Sequence, residues 1–247
     1  MKVRFVHRRT IWYPTWLGWL CLVALLGAPP TWWLFCGEGF LSLTAPESAD
    51  VLVVEGWIGR AGMEAARKEF AAGGYRWVIA TGGYTGEGWM EQRWSYAEMA
   101  RKELLRLGVP GEKLLSASAG EADTRRTHAA AVATQEALAA HGLEPRAINV
   151  LTRGPHGRRS RIVFSKVLGP RMRVGVISWN PPHSTEGRWW LSSERAKELV
   201  TETAGYWFEV LAGSGRWVPG SSAGPAAANF VQPVPGVAPA SGTLQSP

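Results

Sequence analysis

With 247 residues and 46% hydrophobic content, the chain is long enough for one medium-sized domain with a full core, plus attachments. The net charge of +7 excludes nothing until it is located. Lys2, Arg4, Arg8 and Arg9 supply more than half of it, and with no extended basic stripe or nucleic-acid motif, nucleic acid drops out as a partner.

The first ten residues are a basic start. From Ile11 to Phe35 the chain carries no charge and has about the length that spans a bilayer core, with Trp12 and Trp16 at one end and Trp32 and Trp33 at the other, like interfacial aromatic belts. The rival reading is a cleaved signal peptide, and it fits poorly. A cut after Ala28 would leave Leu26 where a small residue is expected and Pro29 directly after the cut, while Trp33-Leu34-Phe35 before Cys36 is too bulky for a lipoprotein site. Residues 11–36 therefore read as an uncleaved membrane anchor, with the N-terminus in the cytoplasm and the main domain on the other side of the cytoplasmic membrane. Both cysteines, Cys21 and Cys36, fall in or beside this segment, so the domain beyond has no disulfide and no cysteine-ligated zinc. That composition is compatible with an oxidising compartment.

A linker over 37–48 leads into a domain over 49–212, where buried-strand runs alternate with helical patterns. Strands are expected at Asp50–Val54, Arg76–Ala80, Lys113–Leu115, Ala147–Leu151 and Arg173–Ser178. Helices are expected at Gly62–Ala72, Gln92–Leu107, Thr124–Ala140, Ser160–Leu168 and Ser192–Leu211, several of them closed by glycine. This alternation predicts an α/β fold: a Rossmann-like three-layer domain with a mostly parallel five-stranded sheet, preceded by one transmembrane helix. From Gly213 the chain turns to Gly, Ser, Ala and Pro with almost no charge, a composition expected to form a disordered tail over 213–247.

In such folds ligands sit beyond the carboxyl ends of the strands. The fourth strand runs into Thr152-Arg153-Gly154-Pro155-His156-Gly157-Arg158-Arg159-Ser160. There His156 suits a phosphate donor or an acid/base, and Arg159 suits a phosphate clamp at a helix start, with Thr152 and Arg158 beside them. The segment from Arg153 to Arg188 carries eight cations against Glu186 alone. The bland alternative is a solvated basic loop. Thr81-Gly82-Gly83 after the second strand reads as a backbone anion nest or as a tight turn. Glu55 directly follows a buried strand and has no helix to cap, so it suits an orienting acid or base, whereas Asp123 suits either that role or a helix N-cap. No Walker A, dinucleotide fingerprint or nucleophile elbow is present, and the histidines lack metal-ligand spacing. Trp189-Trp190 suits packing of a polyprenyl or sugar group, or else a core edge or membrane-facing surface.

These elements resemble the ElyC/SanA/YdcF family of bacterial envelope proteins over about Ala49 to Leu211. The resemblance is carried by Ala49-Asp50-Val51-Leu52-Val53-Val54-Glu55-Gly56, Val78-Ile79-Ala80-Thr81-Gly82-Gly83, Leu107-Gly108-Val109-Pro110, Asp123 with Thr127, and Thr152 to Ser160 with His156 and Arg159. It implies a Rossmann-like domain on the outer face of the cytoplasmic membrane, involved in peptidoglycan assembly, the lipid carrier for envelope polymers or the permeability barrier. One cytoplasmic branch of the family is associated with S-adenosylmethionine. Many relatives carry an acid and an asparagine shortly after the threonine matched by Thr127, where this chain has Ala129 and Ala130.

The expected ligand is thus a phosphate-bearing envelope precursor, small or lipid-linked, met at the membrane lipid surface and hydrolysed or transferred there. The alternatives are a non-catalytic module sensing a precursor or a nucleoside such as S-adenosylmethionine, and an interaction scaffold using exposed tryptophans and the tail.

Overall fold

The computed structural model describes residues 12–84, 94–120, 125–170, 172–181 and 188–213. The basic start and, apart from Gly213, the tail lie outside these residues, as do Asp123 and His183.

The long helix α1 (Trp16–Leu41) opens the described chain, with the Thr15 side chain accepting from Gly18 N at its start. It is long and apolar enough to cross a membrane. Its 26 residues span about 39 Å at 1.5 Å each, more than a hydrocarbon core of roughly 30 Å needs. The surplus enters the domain: Gly37 and Leu41 are buried. Part of the segment expected as a linker is therefore helix. The rest forms a strap along the sheet edge, where Ala45 and Val176 exchange backbone hydrogen bonds of 2.8 and 3.1 Å. Asn149 fixes the strap through Glu47 N (2.8 Å) and Glu47 O (2.9 Å).

Five strands follow: β1 (Val51–Glu55), β2 (Trp77–Gly82), β3 (Leu114–Ser118), β4 (Ala147–Arg153) and β5 (Arg173–Trp179). All pair in parallel, in the order β3-β2-β1-β4-β5. The apolar runs that give no alternation in sequence are strands covered on both faces. One face carries α2 (Gly59–Ala72) and α3 (Tyr96–Arg106) over Leu52, Val54, Val78 and Ala80. The other carries α4 (Arg126–Ala140) and α5 (Gly157–Leu168) over Val51, Val53, Ile79, Ile148 and Val150. The chain builds outward through β2 and β3, then returns to β4 on the other side of β1, so β1 and β4 flank the topological switch point. The closing helix α6 (Ser193–Leu211) packs against α5 and α1.

Local chemistry sets the element ends. Ser95 and Glu98 form a capping box, with Ser95 Oγ accepting from Glu98 N at 3.1 Å and Glu98 Oε2 accepting from Ser95 N at 3.0 Å, which starts α3 at Tyr96. Gly56 lets the start of α3 close onto the end of β1, since a Cβ there would lie 2.2 Å from the Tyr96 carbonyl oxygen. Helix α5 begins at Gly157, earlier than the expected Ser160. A Cβ at Gly157 would meet Ser178 Oγ at 2.0 Å, so only glycine lets the helix start pass so close to β5.

Candidate functional site

Side-chain alternation fixes which strand-end residues can meet. Glu55 shares the parity of Val51 and Val53, Thr81 that of Ile79, and Thr152 that of Ile148 and Val150, so all three point to the α4–α5 face at the carboxyl rim. Glu55 and Thr152 come from the two strands at the switch point, and both are fully buried.

Glu55 is the innermost member of a charged cluster. Its Oε2 accepts from the Thr152 hydroxyl and its Oε1 from the Ser160 hydroxyl at 3.2 Å. His156 Nε2 lies 3.5 Å from Glu55 Oε2, and on the other side of the ring Nδ1 lies 3.0 Å from Glu202 Oε1. Arg159 closes the row with a forked contact to Glu202, Nε to Oε2 at 2.7 Å and Nη2 to Oε1 at 3.0 Å. Arg159 Nη2 and His156 Nδ1, 3.0 Å apart, are two donors converging on one carboxylate oxygen. Thr127, at the head of α4, reaches both cations, 3.4 Å from His156 Nε2 and 3.3 Å from Arg159 Nη1. The Trp57 ring stands edge-on to the imidazole at 5.0 Å and covers it.

Electrostatics make the cluster a balanced set of ions. Burial opposes a charged His156, but Glu55 and Glu202 outweigh it and push the imidazole up to about 9, so it is an imidazolium at neutral pH. Burial likewise opposes ionisation of Glu202, yet His156 and then Arg159 bring it down to about 2. Glu55 is held below the usual carboxylate range by His156, with Thr152 and Arg159 behind it, against the opposing effect of its own burial. Two carboxylates thus face two cations. This arrangement corrects the sign at the start of α5, where His156, Arg158 and Arg159 crowd cations at a helix end that favours anions.

The other expected residues are placed as follows. Arg158 turns away from the cluster, donating to the Phe40 carbonyl and lying over the Phe40 ring at 3.8 Å, so it ties α5 to α1. The Thr81 hydroxyl donates to the Ala117 and Ala130 carbonyls at 3.1 and 3.0 Å, fastening β2 to β3 and α4. Gly82 has φ +149° and passes close to Tyr96, while a Cβ on Gly83 would lie 3.2 Å from Gly120 O, which favours the tight-turn reading of this pair. Asp123 lies outside the described residues. Glu202 is the functional candidate absent from the sequence-based set. A signal for it exists: Leu199, Glu202 and Glu209 recur at helical spacing on the buried stripe of α6, so two acids stand where the pattern calls for apolar residues.

The acids of α6 also answer the cationic segment that begins at Arg153. Arg153 meets Glu198 at 3.5 Å and Glu194 at 3.9 Å, and Lys166 meets Glu209 at 3.0 Å. Among the described residues no group of three or more His, Cys, Asp and Glu is arranged to hold a metal ion, and in the Glu55–His156–Glu202 row the imidazole stands between the two acids. Among the described residues no acid stands at the end of β2, where Rossmann-type dinucleotide sites place the partner of the ribose; the strand ends in Thr81-Gly82-Gly83, with the Thr81 hydroxyl already bonded.

A scan of protein-family models matches nothing in the chain, and a comparison with curated proteins finds no relative, so the likeness to the ElyC/SanA/YdcF family rests on the sequence elements alone.

Proposed function

We propose that this chain is a membrane-anchored protein of cell-envelope biogenesis, with its N-terminus in the cytoplasm and its α/β domain on the outer side. In this reading the domain binds the phosphate-bearing head of an envelope precursor. The observation that carries the proposal is the convergence of Glu55, His156, Arg159 and Glu202 at the β1/β4 switch point, on the rim where α1 joins the domain. The strap leaving α1 contacts β5 at Ser178, whose hydroxyl donates to Leu43 O at 2.7 Å, so the carboxyl rim is the end nearest the anchor. A lipid-linked precursor would reach it without leaving the membrane.

Arg159 gives its Nε and Nη2 edge to Glu202, while Nη1 makes one long bond to Thr127. Nη1 and the Thr127 hydroxyl are therefore the pair offered to an incoming phosphate, and the bound anion would share the guanidinium with Glu202. Hydrolysis or transfer of the phosphate-bearing group would use His156 as acid, since an imidazolium with a pKa of about 9 gives a proton at neutral pH and does not take one.

A second reading, a non-catalytic sensor, is favoured by the way both carboxylates are occupied with cations and both imidazole nitrogens with carboxylates. One experiment separates the two. The full chain in detergent is unfolded thermally with polyprenyl phosphate, sugar nucleotides or S-adenosylmethionine, for native protein and Arg159→Ala, followed by product analysis. A phosphate ligand at a hundred times its Kd adds about 2.7 kcal/mol, seen as a raised midpoint that Arg159→Ala loses. Turnover supports hydrolysis or transfer, and binding without turnover supports the sensor. No shift with any phosphate compound, or a shift that survives in Arg159→Ala, overturns the site.

A further inference from the structure

Helix α6 buries Glu202 and Glu209 and exposes an apolar face along its C-terminal half. Glu202 and Glu209 turn inward to Arg159 and Lys166, and from Val200 to Ala212 every exposed residue is uncharged. Val200, Trp207, Phe208, Val210 and Leu211 are between 47% and 71% exposed. Leu191, in the turn before the helix, is 65% exposed. Isolated apolar residues at a surface need no explanation, but a continuous patch led by Trp and Phe does.

The contacts with α1 set the direction of this face. Arg195 pairs with Glu38, and the Tyr206 ring meets Phe40 edge-on at 5.4 Å. The stretch of α6 between these contacts covers roughly 16 Å, while the matching stretch of α1 covers roughly 3 Å, so α6 crosses α1 steeply and does not run along it. On the N-terminal side of the crossing, Trp33 Nε1 donates to Thr203 Oγ1 at 3.1 Å. An apolar cavity of about 450 Å³ opens there, lined by Pro29, Pro30, Trp33 and Leu34 of α1 and by Trp189, Thr203 and Trp207. Pro29 to Leu34 belong to the uncharged run that ends at Gly37, before Glu38. If α1 spans the bilayer, a helix crossing it at this level lies along the membrane surface.

We propose that α6 is an interfacial helix, seated with its Trp207–Phe208–Leu211 face in the leaflet on the domain's side of the membrane, with lipid chains filling the α1–α6 cavity. The inference rests on the reading of α1 as a membrane-spanning helix. A lipid surface is the occupant because the patch is continuous with the anchor, tryptophan stands at its edge, and its charges are withdrawn into the protein. The seating holds the carboxyl rim at a fixed height over the head groups, since Glu202 lies on the same helix.

Site-directed spin labelling of the full chain in phosphatidylcholine–phosphatidylglycerol vesicles tests this seating. The single-cysteine variants retain Cys21 with Cys36→Ser, or place Phe208→Cys, Leu211→Cys or Glu144→Cys on a background lacking both native cysteines. Collisional relaxation by oxygen should exceed that by a water-soluble nickel complex at positions 21, 208 and 211, and the order should reverse at 144, which lies before the amino end of β4. Nickel-favoured labels at 208 and 211 with an oxygen-favoured label at 21 would overturn the interfacial helix and leave the anchor standing. Labels at 208 and 211 shielded from both reagents would overturn it in favour of a protein partner. A nickel-favoured label at 21 would overturn the anchor, and the seating with it.

Discussion

Two ion pairs join α5 to α6, about two helical turns apart on both helices, and they differ in kind. Lys166 meets Glu209 at 3.0 Å, with more than a third of the lysine side chain exposed. Arg159 meets Glu202 as part of a buried row continued by His156 and Glu55. Docking one helix on another needs no more than the first arrangement. The second takes an imidazole and a further carboxylate out of water, which is costly unless the set stays complete. A surplus of buried charge at the switch point of an α/β sheet is where function is expected, and the Lys166–Glu209 pair is the internal control for what structure alone requires.

The comparison can be broken most forcefully at Glu55. Glu55→Gln keeps the shape but leaves His156 with one carboxylate, and should destabilise the protein by about 3–5 kcal/mol in denaturant unfolding. Glu202→Gln releases Arg159 together with His156 and should cost about 3 kcal/mol, less than Glu55→Gln because Arg159 can turn toward water. Glu209→Gln should cost less than either, since the partly exposed Lys166 keeps the Glu209 carbonyl as an acceptor at 2.6 Å and can reach water. If the Glu55 and Glu209 substitutions cost the same, the two regions do not differ in kind and the surplus reading fails.

Titration sharpens the same contrast. His156 is raised from 6.5 to about 9 in the folded protein, so its contribution is complete below about pH 6.5 and disappears as pH rises through 9. Glu202 is lowered from 4.5 to about 2, so its contribution is present above about pH 4.5 and disappears as pH falls toward 2. The unfolding midpoint should therefore decline between pH 6.5 and 9, and His156→Gln should flatten that decline.

Much of this was legible in the sequence. Buried apolar runs marked β1, β2 and β4, because strands covered on both faces leave a signal that needs no partner, whereas edge strand β3 has alternating exposure and was expected only as far as Leu115. Glu55, Thr152, His156 and Arg159 were legible because each sits at a strand end or helix start. What escaped depends on contacts remote in sequence. Glu202 is far along the chain from Arg159, and its place with Leu199 and Glu209 on the buried stripe of α6 does not say which cations it meets. Arg158 reads like Arg159 until α1 brings Phe40 beneath it. The end of α1 was hidden for a related reason: Gly37 and Glu38 resemble a linker, and it takes remote contacts such as the Glu38–Arg195 pair and the burial of Leu41 to extend the helix into the domain.

The most direct test is a nitrogen-15 NMR titration of His156 in the full chain, with its signal assigned by loss in His156→Gln. His156 should be an imidazolium at pH 7, both ring nitrogens protonated, and deprotonate near pH 9. A ring that is neutral at pH 7, or that titrates near the ordinary 6.5, would contradict this, because His156 would then not be the cation that balances Glu55 and Glu202.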